Sequence, residues 1–279
     1  MPIEWSLVLF SLLAGCGGGA LVFVGISELL KVAEKPRFNV ALIATILIVV
    51  GGCFSVLHLQ RPDRIMWAAQ NVFSFSGISI ELIFVGLCVV LGIVYLVLVK
   101  RGSAETARKV IAILALVCGL LLAFFTGHGY VIESRANWNT QMLPLAYTGT
   151  ALAAGGFLFL LVAALQKVDE AEFKKMALWG CIAAVLCAVT LIGYVAVIGF
   201  DTAAVSGIAL WGGIIICGVI ITIAAGILGW LKPASGAAVA GCGFAAALIA
   251  GLALRALMWL VGTGFYSLFD VAATVRLLM

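Results

Sequence analysis

The sequence predicts an all-α membrane protein folded as a bundle of eight transmembrane helices. Apolar residues make up 65% of its 279 residues and charged residues only 10%, and the apolar residues fall in long runs between short polar connectors. Ordinary soluble domains carry about a quarter charged residues. A chain with so few charges cannot cover a core of this size in water, so lipid is the expected solvent.

Eight apolar runs have the length of about 20 residues that a helix needs to cross the hydrocarbon layer. In chain order they are 5–30, 39–59, 80–99, 110–131, 144–166, 176–200, 208–231 and 237–263. The connectors are short, so successive helices should run in opposite directions and residues 1–279 should form one transmembrane domain. The first run follows a segment without basic residues and is too long for a signal peptide, so we expect a retained helix.

The basic residues of the connectors predict the orientation of the bundle. The first, third, fifth and seventh connectors hold eleven: Lys31, Lys35, Arg37, Lys100, Arg101, Arg108, Lys109, Lys167, Lys174, Lys175 and Lys232. The second, fourth and sixth hold three: Arg61, Arg64 and Arg135. Because basic loops stay in the cytoplasm, both termini should lie on the outer face (N-out/C-out) of a multi-pass protein of the cytoplasmic membrane. The net charge of +4 follows from this asymmetry and does not indicate nucleic-acid binding.

The sequence predicts no metal site, haem or iron–sulfur cluster within this chain. Its eight cysteines lie in apolar runs and none forms a C-x-x-C pair, which disfavours iron–sulfur or zinc ligation. The two histidines, His58 and His128, fall toward the same membrane face. One bis-histidine haem is therefore the competing use of these side chains.

Five ionisable residues lie in or at the ends of the predicted helices: Glu28, His58, Glu81, His128 and Arg255. Such residues are costly in lipid, so they are candidates for function. With a rise of about 1.5 Å per residue, four of them reach one level near the outer face. Glu28 alone lies at the cytoplasmic end, where we expect replacement to be tolerated. A pocket with a histidine, a carboxylate and apolar walls could hold a quinol and accept the protons that the quinol releases on oxidation.

Four segments resemble the dimethyl sulfoxide reductase membrane-anchor family. The segment His58-Leu59-Gln60-Arg61-Pro62-Asp63-Arg64 is similar to the H-L-x-x-P-x-R element of that family. The segment Ser79-Ile80-Glu81-Leu82-Ile83 is similar to the S-x-E-I start of its third helix. Residues 130–144 resemble its fourth connector, and Arg255-Ala256-Leu257-Met258-Trp259 resembles an R-x-x-x-aromatic element of its last helix. The order of the four segments matches the family along most of the chain.

The resemblance implies a membrane-anchor subunit that oxidises menaquinol to menaquinone and contains no haem. Its electrons would pass to a four-cluster ferredoxin-like iron–sulfur subunit and then to a molybdopterin catalytic subunit. By resemblance, His58 and Glu81 bind the quinol and accept its protons. Tyr130, His128 and Arg255 would complete the pocket, and Arg61 and Arg64 would dock the iron–sulfur subunit or stabilise the loop.

Three alternatives remain open from the sequence. A polysulfide-reductase-type membrane subunit would also bind a quinone. A secondary transporter would usually show broken helices and polar sites near the midplane, whereas the midplane here is almost entirely apolar. A purely structural anchor would have no use for the polar residues near the outer face.

Overall fold

The computed structural model describes residues 3–57, 76–102 and 105–262, and regular structure within these ranges is helical. The eight helices that are long and apolar enough to cross a membrane are α1 (Trp5–Leu30), α2 (Glu34–Leu57), α3 (Gly77–Lys100), α4 (Glu105–His128), α5 (Met142–Leu165), α6 (Glu170–Ile198), α7 (Ile208–Leu231) and α8 (Gly236–Val261). The prediction of an all-α bundle with eight spanning helices is confirmed.

Three helices begin five or six residues earlier than their apolar runs. Helices α2, α4 and α6 start at Glu34, Glu105 and Glu170, against predicted starts at 39, 110 and 176. Each has a carboxylate in its first turn, where negative charge is favoured by the helix dipole. Apolar runs report the part of a helix that lies in hydrocarbon, and the charged first turns extend beyond it.

Helices α1 and α5 form the centre of the bundle. Their most apolar segments are 78% and 72% buried by protein, against 17% for α3. Helix α1 packs against α2, α4 and α5, and α5 packs in addition against α6 and α8. On one flank α3 packs on α2 and α4, and on the other α7 packs on α6 and α8. The outer helices therefore present most of the lipid-facing surface.

Glycines bring the backbones of the central helices into contact. A Cβ atom on Gly155 of α5 would overlap the backbone of Gly19 on α1. A Cβ on Gly18 of α1 would lie 2.7 Å from the carbonyl oxygen of Gly119 on α4. In lipid, helices associate through close packing rather than through a hydrophobic drive, and small residues permit that approach. Glycines thus set the close spacing of α1, α4 and α5.

A buried charge network joins four helices at one end of the bundle. We call this the basic end, because it holds the connectors that follow α1, α3, α5 and α7. The carboxylate of Glu28 is 2.7 Å from Nη1 of Arg37 and 2.5 Å from Nε of Arg108, and it accepts a hydrogen bond of 2.8 Å from the Tyr95 hydroxyl. Glu28 is 3% exposed. The structure does not support the expectation that Glu28 can be replaced without effect.

Candidate functional site

The opposite end of the bundle gathers aromatic and ionisable side chains from α3, α4, α5 and α8, and we call it the aromatic end. Its residues among the described part of the chain are Glu81, Phe84, Phe124, Phe125, His128, Tyr130, Trp138, Tyr147, Arg255 and Trp259. The connector after α4 and the first turn of α3 meet here, which brings the sequence-predicted residues Glu81, His128 and Tyr130 together.

The Glu81 carboxylate lies in a space left by a glycine. Helix α3 begins at Gly77, and the Ser76 side chain caps it by accepting a hydrogen bond of 3.3 Å from the backbone N–H of Ser79. Glu81 follows within the second turn and points at the connector after α4, where a Cβ atom on Gly129 would stand only 2.7 Å from its Oε1. The absence of a side chain at 129 therefore makes room for the carboxylate.

His128, the last residue of α4, packs against phenylalanine rings. Its ring stacks on Phe124 with centroids 5.7 Å apart and meets the edge of Phe125 at 5.9 Å. Phe125 stacks in turn on Phe84 of α3 at 5.3 Å. The buried Nδ1 of His128 has no hydrogen-bond partner among the described residues. A buried polar atom without a partner calls for an explanation, and a bound ligand with a hydroxyl or carbonyl would supply one.

Four aromatic rings form a cage beside Glu81. Tyr130 lies 5.6 Å from Trp138, 6.1 Å from Tyr147 and 6.1 Å from Trp259, measured between ring centroids. The cage is fixed by the indole N–H of Trp138, which donates to the carbonyl oxygen of Met258 at 2.7 Å. Burial raises the pKa of the Tyr130 phenol well above 10, and Glu81 is near enough to add to the rise. The phenol therefore stays protonated at physiological pH and can donate a hydrogen bond.

Arg255 places a buried positive charge beneath the cage. Its guanidinium is stacked over the Tyr147 ring at 4.2 Å, and the residue is 1% exposed. It donates to the Ser11 hydroxyl and carbonyl of α1 and to the carbonyl of Gly251. All three acceptors are neutral, and none of the salt bridges between described residues includes Arg255. Two of its five N–H groups join α1 to α8 and a third bonds within α8. Its positive charge lies against the cage at the ring of Tyr147.

Three of the predicted site residues, His58, Arg61 and Arg64, lie outside the described residues. Sequence reasoning quoted Trp259 in a motif but did not assign it to the site. Its spacing of four positions from Arg255 places both residues on one face of α8 and could have revealed it. Within the described ranges, no group of three or more histidine, cysteine or acidic side chains could hold a metal ion.

Comparison with known proteins gives two matches. The family described as DMSO reductase anchor subunit (DmsC) matches residues 1–210, which include α1 to α6. The anaerobic dimethyl sulfoxide reductase chain YnfH of Escherichia coli (strain K12) is 26% identical over 191 residues. That alignment covers 66% of this chain and 66% of the relative, just under two thirds of its length.

Proposed function

Because the chain belongs to the DMSO reductase anchor subunit family, we propose that it anchors a DMSO reductase-type complex and oxidises menaquinol at the aromatic end of the bundle. The meeting of Glu81 and His128 beside an aromatic cage carries the proposal. A carboxylate such as Glu81 can accept a proton from a quinol, and the unpartnered Nδ1 of His128 can bind a quinol oxygen. The family match favours this function over a transporter, and the ionisable residues at the aromatic end favour it over a purely structural anchor.

The residues of the aromatic end take separate roles in the proposed reaction. Menaquinol loses two protons and two electrons and becomes menaquinone. Glu81 accepts a proton from one hydroxyl, and His58, the other proton acceptor that the sequence predicts, accepts the second. His128 offers its unpartnered Nδ1 to a ligand oxygen. The charge of Arg255 favours the quinol anion that forms when the first proton leaves.

The electrons leave through partner subunits in this proposal. A four-cluster ferredoxin-like iron–sulfur subunit docks on the aromatic end, with Arg61 and Arg64 at the contact, and passes electrons to a molybdopterin catalytic subunit. The chain itself holds the quinol and contributes neither haem nor iron–sulfur cluster. The complex would lie in the cytoplasmic membrane, with the aromatic end on the outer face.

Replacement of Glu81 tests the proposal. Glu81→Gln keeps the shape of the side chain and removes the proton acceptor, so quinol-driven turnover should fall about 10²–10⁴-fold, the usual worth of a general base. His58→Gln should behave likewise. Reduction of the terminal acceptor with a soluble dye as electron donor should continue, because the dye bypasses this chain. Glu105→Gln is the matched control, since Glu105 is an exposed carboxylate at the basic end. Full quinol-driven rates in both the Glu81 and the His58 variants would overturn the proposal.

A glycine offers a second test that leaves Glu81 itself intact. Gly129→Ala would place a methyl group against the Glu81 carboxylate and displace it. Because a shift of about 1 Å in a reacting group can cost on the order of 10²-fold, quinol-driven turnover should fall at least 10-fold. The control is Gly86→Ala on the same helix as Glu81, where a new Cβ meets open space. Equal rates for these two variants would show that the carboxylate position does not matter.

A further inference from the structure

The two cage tryptophans differ in what their indole N–H groups bind. Trp138 donates to the Met258 carbonyl at 2.7 Å. Trp259 is 6% exposed, and its Nε1 has no hydrogen-bond partner among the described residues. The indole group is a donor only, and its burial keeps bulk water away from it. A buried donor left without an acceptor is unfavourable, so the unliganded chain gains nothing from this N–H.

The position of Trp259 suggests what the missing acceptor is. Its ring meets Tyr130 at 6.1 Å and Trp138 at 5.3 Å, and Tyr130 is the phenol that interacts with Glu81. Glu81 reaches this region from α3, and Trp259 reaches it from α8 on the other flank of the bundle. The positive charge of Arg255 lies one turn away from Trp259 on the same helix. An oxygen atom that carries negative charge is therefore the favoured acceptor.

We propose that the indole N–H of Trp259 donates a hydrogen bond to one ring oxygen of the quinol head group, while Glu81 takes the proton of the other. The inference rests on the proposed function and adds a binding residue to it. As the quinol gives two electrons to the iron–sulfur subunit, the oxygen near Trp259 loses its proton to the second acceptor of the proposed reaction and becomes an anion and then a carbonyl. Both are better acceptors than a hydroxyl, so the donor holds the head group throughout the reaction.

The test is Trp259→Phe in the assembled complex, with menadiol, a naphthoquinol without the isoprenoid tail, as the probe. Loss of one hydrogen bond should raise the KM for menadiol about 2- to 10-fold. The thermal midpoint of the unliganded complex should fall less than in Trp138→Phe, because both changes remove the same ring volume but only the Trp138 N–H loses a protein partner. Addition of menadione should raise the midpoint less in the variant than in the original protein, since a weaker ligand stabilises less.

Two matched controls carry the same substitution. Trp138→Phe removes an N–H that is bonded to Met258 and should lower the thermal midpoint. Trp230→Phe, at the basic end beside Lys174, should leave the KM for menadiol unchanged. Comparing the thermal midpoints and KM values of the two variants distinguishes an indole N–H that stabilises the fold from one that binds a ligand.

Each outcome decides between the two proposals. An unchanged KM in Trp259→Phe, together with inactive Glu81→Gln, overturns the role of Trp259 and leaves quinol oxidation standing. Full quinol-driven rates in Glu81→Gln and His58→Gln overturn the proposed function, and this inference with it. If Trp259→Phe does not accumulate in the membrane, or melts as early as Trp138→Phe, the N–H serves the fold, and the inference is wrong.

Discussion

The buried charge network at the basic end predicts a large loss of stability for Glu28→Gln. Glu28 is the shared partner of Arg37 and Arg108, and it also accepts the Tyr95 hydroxyl. A glutamine in its place would bring an amide NH₂ group against one of the guanidinium groups, donor against donor. Arg37, at 4% exposure, would then be a buried cation without its counter-ion.

The size of the loss in unfolding free energy depends on the contacts that Arg37 and Arg108 retain in the variant. Breaking a buried ion pair on one side costs about 3–5 kcal/mol. Arg37 retains hydrogen bonds to the Ser27 hydroxyl, the Ser27 carbonyl and the Val32 carbonyl. The Arg108 side chain is 19% exposed and lies 3.3 Å from Glu34. These remaining contacts place the expected cost near the lower limit, at about 3 kcal/mol.

Unfolding titrations in mixed detergent and dodecyl sulfate micelles would measure this free energy. Glu105→Gln is the matched control, because Glu105 pairs with Lys31 on the exposed surface of the same end and should unfold close to the original protein. Arg108→Gln combined with Glu28→Gln should cost less than the sum of the single changes, since both remove one interaction. The reasoning is refuted if Glu28→Gln unfolds at the same denaturant concentration as Glu105→Gln.

The remaining predictions concern topology, prosthetic groups and packing. Reporter fusions to both termini should give an extracytoplasmic signal, as eleven basic residues against three require; a cytoplasmic signal at either end contradicts the assigned orientation. The purified chain should show no Soret band, and one haem per chain would instead promote His58 and His128 to axial ligands. Gly155→Ala should destabilise the bundle by about 1–3 kcal/mol through overpacking against Gly19, measured by the same titration, whereas Gly86→Ala should be neutral.

The fold was predictable because lipid imposes one simple requirement on each helix. Apolar length alone located all eight spans, and the carboxylates of Glu34, Glu105 and Glu170 account for the turns that it missed. What length cannot give is the lateral arrangement of the helices. Arg37 and Arg108 entered the sequence analysis as loop charges, yet both face inward onto Glu28.

The sequence predicted the level of the candidate site across the membrane but not the contacts of its side chains. Helical rise placed Glu81, His128 and Arg255 at one level, and the structure brings Glu81 and His128 to the same end with Tyr130 near the carboxylate. Rise says nothing about rotation around the helix axis. For that reason the sequence did not show that Arg255 donates hydrogen bonds to Ser11. Nor did it show that the indole N–H of Trp259 has no acceptor among the described residues.

The central position of α1 has a consequence for how the protein is made. Helix α1 is synthesised before α4 and α5, the helices that its faces must finally meet, and its contacts at Gly18 and Gly19 are with residues 119 and 155. The surface at Gly18 is uncovered until α4 has been synthesised, and the surface at Gly19 until α5 has been synthesised. Helix α1 must therefore stay in lipid or beside the insertion machinery until its partner helices are made. Larger side chains at its contacts with α4 or α5 should lower the amount of assembled protein before they change the turnover rate.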